Sequence, residues 1–237
     1  MRVKTISLAF GAMLLATRAF AYDAYDPANC NGVDWNDQSP LAVSKITGAP
    51  RVNFIKSPYD GDFTAASCPA ATDACRQKSY LVANDLVLAG RTRGEFTCVV
   101  YQSLTAKKRT WSKGWLPTTV LAPIAPMPSP QPADWLGTWA IPGGSIEIKR
   151  ATGGKLHIMG EMVVPGAQDA HTGVIDAQAM AMNGTIAFVD DGSTPFEKAE
   201  GECRVRMQRF GALLMVKDND GCGGAGVTFT GLYQRKK

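Results

Sequence analysis

Histidine is almost missing from this chain of 237 residues: His157 and His171 are the only two. They stand far apart, with no cysteine beside either, so no recognised metal-ligand spacing can be drawn through them. A Cys-x-x-Cys pair is also lacking, which removes the usual redox and zinc-ribbon motifs. Gly-x-Ser-x-Gly does not occur, and Gly143-Gly144-Ser145 reads as a turn entering a strand instead of a nucleophile elbow. Long apolar runs are absent beyond the first residues, and 6–16 is too short to span a bilayer. Excess charge is lacking as well. Of the 25 basic side chains, Arg2, Lys4 and Arg18 lie in the first 21 residues, which leaves 22 against 21 acidic ones. That balance argues against nucleic acid or an anionic membrane as partner.

What is present begins with an address. Arg2 and Lys4, the apolar run, and Ala19-Phe20-Ala21 predict a signal peptide over 1–21 and export to the periplasm or beyond. The first cysteine is Cys30, too far from the cleavage point for a lipid anchor. Six cysteines in an exported chain predict disulfides. Cys203–Cys222 follows if pairing stays within each half of the chain. Among Cys30, Cys68, Cys75 and Cys98 three connectivities remain. We favour Cys68–Cys75 around Pro69, with Cys30–Cys98 tying the N-terminal arm to a strand.

Prolines at 123, 126, 128, 130 and 132 divide the mature chain into 22–122 and 134–237, joined by a linker over 123–133. Such a run cannot join a helix or the middle of a sheet and favours an extended spacer. Residues 22–38 read as an irregular arm, and Asn29, Asn31 and Asp34 miss the offsets of an EF-hand loop. Strand-like runs follow at 52–55, 81–89, 96–102 and 115–124. The second half reads as strands throughout: 135–141, 145–150, 155–164, 173–179, 185–190, 203–210, 213–217 and 227–235. Asn183-Gly184 between two of them is a two-residue hairpin turn. The expectation is all-β, with the second half forming a small up-and-down antiparallel β-barrel.

Gly114-Trp115-Leu116-Pro117 and the final run to Leu121 resemble the closing segment of bacterial SH3-like domains, over about 79–123. The resemblance implies an SH3-like barrel in which Pro117 opens a 3₁₀ turn. It departs from peptide-binding members, because Val120 stands where they carry a second aromatic and Arg91-Thr92-Arg93 replaces their acidic loop. Trp135-Leu136-Gly137-Thr138-Trp139 resembles the Gly-x-Trp first strand of calycins, the lipocalin and avidin type, over 134–237. That likeness implies that Gly137 and Trp139 close the barrel with Arg235 packed on the indole.

No catalytic residues are expected, and no metal or cofactor. Asp190-Asp191 and Asp218-Asn219-Asp220 sit at turns, where Asp and Asn serve the backbone. One basic–aromatic cluster, Lys107, Lys108, Arg109 and Trp111, is the candidate ligand surface. The expected function is that of an exported, non-enzymatic binding protein of the cell envelope. Its ligand would be a small molecule, a glycan or an envelope protein; the alternative is inhibition of a cell-wall hydrolase. An open barrel would favour a small ligand.

Overall fold

The computed structural model describes residues 26, 28–30, 41–48, 50–58, 60, 67–104, 110–166, 169–190, 194–199 and 201–236. Residues 1–21, where a signal peptide is expected, most of the N-terminal arm and residues 107–109 lie outside these. The described residues are all-β, in two antiparallel sheets. No helix among them is long and apolar enough to cross a membrane.

The first sheet holds β1 (Ala42–Ile46), β2 (Arg51–Ile55), β3 (Arg76–Val82), β4 (Leu86–Arg93), β5 (Phe96–Gln102), β6 (Trp111–Pro117) and β7 (Leu121–Ile124). Their order in space is β3-β2-β6-β5-β4-β1-β7. The run 81–89 is not one strand. Asn84 takes a left-handed φ of 75°, and the Val82 N–H donates to the Asp85 carboxylate at 2.8 Å, so the chain reverses between β3 and β4. The polar start of β3 escapes a hydrophobic reading because that strand is largely exposed, and β1 escapes it because Ser44 and Lys45 stand between the buried Val43 and Ile46. Pro117 is followed by a 3₁₀ turn over Thr118–Val120 before β7.

Central strand β5 reads as a near-continuous apolar run because both of its faces are covered. Val99 packs with Phe54, Leu81, Val87 and Leu116 in one cluster. On the opposite face Phe96 and Cys98 join Cys30, Cys68, Cys75 and Trp115. The arm is anchored there: the Trp115 indole N–H donates to Ala28 O at 3.1 Å.

The second sheet runs β8 (Gly137–Ile141), β9 (Gly144–Arg150), β10 (Leu156–Pro165), β11 (Ala170–Ala179), β12 (Ala181–Met182), β13 (Thr185–Val189), β14 (Arg204–Phe210), β15 (Leu213–Asp218) and β16 (Gly231–Arg235). Neighbours in sequence pair as a meander, except that β11 and β12 are not joined, and the last strand returns to the first through Gln234↔Ala140 and Arg235↔Trp139. The result is a nearly closed antiparallel barrel. Its seam lies between β11 and β13, where single hydrogen bonds replace a ladder. The Asp176 N–H donates to Asp190 Oδ1 at 2.8 Å, and the Gly224 N–H to Thr172 O at 3.1 Å. Gly173 and Gly223 let the loop after Cys222 lie on β11, since a Cβ on Gly173 would stand 2.4 Å from Cys222 O.

Three expectations need correction. Trp135 belongs to a four-residue helix α1 (Pro132–Trp135) and not to the first barrel strand. Pro132 is its first residue, the one helical position where a missing N–H costs nothing, so the proline run does enter a helix. Residues 227–230 are buried but irregular, and β16 begins only at Gly231. Pro123 sits in β7, an edge strand, as proline requires.

The barrel interior is occupied by side chains, among them Trp135, Trp139, Phe188, Met207, Phe229 and Tyr233. Outside it, Phe210, Met215 and Leu232 pack with Leu41, Val43, Leu88 and Val100 of the first half. The segment between the sheets lies against the barrel too, the Met127 N–H donating to Arg209 O at 2.8 Å.

Candidate functional site

The cysteines pair as Cys30–Cys98, Cys68–Cys75 and Cys203–Cys222. Gly137, Trp139 and Arg235 come together at one end of the barrel, the Arg235 guanidinium 4.8 Å from the Trp139 ring centroid. Of the basic–aromatic cluster, Lys107, Lys108 and Arg109 lie outside the described residues, while Trp111 packs half-buried against the contact between the sheets. The two histidines are kept apart: His157 opposes Gln178 and His171 opposes Val164, near opposite ends of the β10–β11 ladder. His171 donates through Nδ1 to Ala225 O at 2.5 Å, which holds the seam loop. Asn183 and Gly184 form the expected turn, both with positive φ.

With the interior filled and the β14–β16 wall against the first sheet, the outer wall of β8–β11 is an exposed face of the barrel. A groove of about 500 Å³ lies on it, lined by Thr138, Ser145, Glu147, Glu161, Val174 and Asp176 with Met159 between them. Strand alternation explains the set. Ile146, Ile148, Ile158 and Ile175 point into the core, so their neighbours face out. Thr138, Glu147, Met159 and Asp176 form one row across four strands, and Ser145, Glu161 and Val174 the next. Gly160 belongs to the inward row, where a Cβ would stand 2.8 Å from Ile175 Cγ1, so the two flanking isoleucines fill its place.

Two of the three carboxylates in the groove have partners. Lys149 Nζ lies 2.8 Å from Glu147, and His157 Nε2 lies 2.6 Å from Asp176 Oδ1. Glu161 has no ion-pair partner among the described residues, and beside it Val174 and Val163 are 65% and 45% exposed. The groove therefore offers an unmatched carboxylate, two hydroxyls and apolar flanks on a rigid sheet. Among the described residues no cluster of acids, histidines and cysteines could hold a metal ion.

Two buried polar sites have roles that the sequence did not show, and Asp218, expected at a turn, is the buried last residue of β15. Asp218 is the centre of one: its carboxylate accepts from Thr228 Oγ1 at 2.5 Å, Phe229 N at 3.0 Å and Thr230 Oγ1 at 2.7 Å. Three N–H and O–H donors thus converge on it, a structural role in holding residues 228–230. Burial, and then the Asp218 charge, push the nearby Asp220 carboxyl up from the ordinary aspartate range. Arg209 is the other, donating to Leu213 O at 3.1 Å and to the carbonyls of Asp134 and Gly211 while stacked 4.4 Å from the Trp139 centroid. Burial, then the Arg235 charge, lower its pKa. The spacing Asp218…Thr228-x-Thr230 was the available signal for the first. Compared with known proteins, the chain matches no family model, no curated protein and no solved structure.

Proposed function

We propose that this is an exported, non-enzymatic binding protein of the cell envelope that takes its ligand on the outer β8–β11 wall. The observation that carries the reading is the groove around Glu161, open to solvent beside a barrel whose interior is filled by its own side chains. A filled interior withdraws support from a small molecule held in the barrel mouth. Glu147 and Asp176 stand in one row with Met159 between them, side by side on a single wall, where a hydrolytic carboxylate pair would face its partner across the substrate. An unmatched carboxylate flanked by exposed valines suits a cationic side chain of a protein or peptide.

The test is a titration of ¹⁵N-labelled protein with the peptide Ac-Val-Arg-Val-NH2. Amide shifts at Glu161, Val174 and Asp176 that disappear in Glu161→Lys support the reading; an unresponsive groove overturns it. The exposed Val163 and Val174 beside Glu161 also favour a second reading, inhibition of a basic cell-wall hydrolase. Stoichiometric protein would then slow lysis of a wall suspension by a basic muramidase, and Glu161→Lys would restore the rate.

A further inference from the structure

Strand β3 ends the first sheet. β2 pairs one of its edges, and among the described residues no strand pairs the other. Asn53 Nδ2 donates to Gln77 O at 3.0 Å and reaches Ser79 O at 3.5 Å, so those carbonyls face β2. β3 bulges against β2 here, residues 77–79 lying opposite Phe54 alone. With the Gln77 and Ser79 carbonyls both turned to β2, the backbone N–H and C=O of Lys78 and Tyr80 face the open edge. A row of free backbone groups is a template for another strand.

The side chains around that edge select what can pair with it. Arg76, Lys78, Tyr80 and Val82 are all exposed, Tyr80 at 44% and Val82 at 43%. Arg51 reaches across from β2 and lays its guanidinium 3.8 Å from the Tyr80 ring centroid. Arg76 is paired with Asp73 at 2.8 Å, while Arg51 and Lys78 form no ion pair among the described residues. Two edges of this kind brought together would place cation against cation, so a second copy of the chain is disfavoured. An acidic strand would meet the opposite sign, with Tyr80 and Val82 supplying apolar contact.

We propose that the β3 edge takes an extended acidic peptide segment of a partner protein as an added strand. Main-chain hydrogen bonds to Lys78 and Tyr80 give the affinity, and Arg51 and Lys78 give the preference for acid. This surface is separate from the barrel groove and does not depend on it.

The experiment uses the mature protein and the probe Ac-Glu-Val-Glu-Val-Glu-Val-Glu-NH2, with calorimetry and amide hydrogen exchange. The expected result is binding in low salt with at least tenfold slower exchange at the Lys78 and Tyr80 amides. The double variant Arg51→Ala/Lys78→Ala, exposed at both positions, should weaken binding at least tenfold. Glu161→Lys should leave it unchanged. A probe N-methylated at alternate residues should not bind; equal binding would mean charge attraction without strand addition and overturns the proposal. The same protection with polygalacturonate, an acidic glycan, overturns it too, as does exchange at Lys78 and Tyr80 that the probe does not slow.

Discussion

Arg209 and Arg235 converge on one indole: their guanidinium carbons lie 4.4 and 4.8 Å from the Trp139 centroid, and both donate to the carbonyl of Asp134. The two are not equivalent, because Arg209 is only 6% exposed and Arg235 is in solvent. Removing Arg209 takes away three charge-assisted hydrogen bonds to part-buried carbonyls and the buried guanidinium stacked on Trp139. Arg209→Ala should therefore cost about 3 kcal/mol, against about 0.5–1 kcal/mol for Arg235→Ala. Urea unfolding checks the ranking, and equal losses would refute it.

Asp218 should be among the most sensitive single positions in the barrel. Asp218→Ala leaves the Thr228 and Thr230 hydroxyls and the Phe229 N–H without their shared acceptor. The expected loss is about 3 kcal/mol, with Asp218→Asn losing less because one acceptor oxygen survives. The measurement is the urea midpoint at unchanged slope.

The raised pKa of Asp220 fixes the sign of a pH effect. A carboxyl that binds its proton more tightly when folded makes stability fall as pH rises from the ordinary aspartate value through the folded one. Asp220→Asn removes that loss, and asparagine tolerates the positive φ of 60° at this position. The variant should melt higher than the parent at pH 7 and equally at pH 3. A gain that persists at pH 3 would count against the electrostatic cause.

Cys203 and Cys222 tether the loop that closes the barrel seam. Replacing both by serine should cost roughly 3 kcal/mol in the chain-entropy model while circular dichroism keeps its strand signal. Gly173→Ala should act on the same loop by overpacking, at a cost of about 2 kcal/mol. Faster amide exchange at Gly224 in both variants would place the effect at the seam; unaltered exchange there would remove the link.

The barrel was largely legible because its inward residues alternate: Ile146, Ile148, Ile158 and Ile175 mark one face wherever they occur. Gly-x-Trp and Arg235 pointed to one end of it, and the even cysteine count to three bridges. The first sheet was harder. β3 carries Arg76, Gln77, Lys78 and Ser79, an edge strand with no apolar period, so nothing local announced it. Arg209 was invisible for a different reason: strand alternation places it, but only the return of α1 and β16 shows what it holds. The groove was legible residue by residue and not as a surface, since the rows Thr138–Glu147–Met159–Asp176 and Ser145–Glu161–Val174 exist only once the register is known.

The contact of Phe210, Met215 and Leu232 with Val43, Leu88 and Val100 has a consequence for avidity. It fixes the spacing between the β3 edge and the Glu161 wall, both of which lie away from it. A partner carrying one acidic strand and one basic side chain at the matching distance would meet the second site at high effective concentration after binding the first. Because no flexible tether is ordered in that step, the bivalent gain would track geometry alone, and a partner of the wrong span would gain nothing.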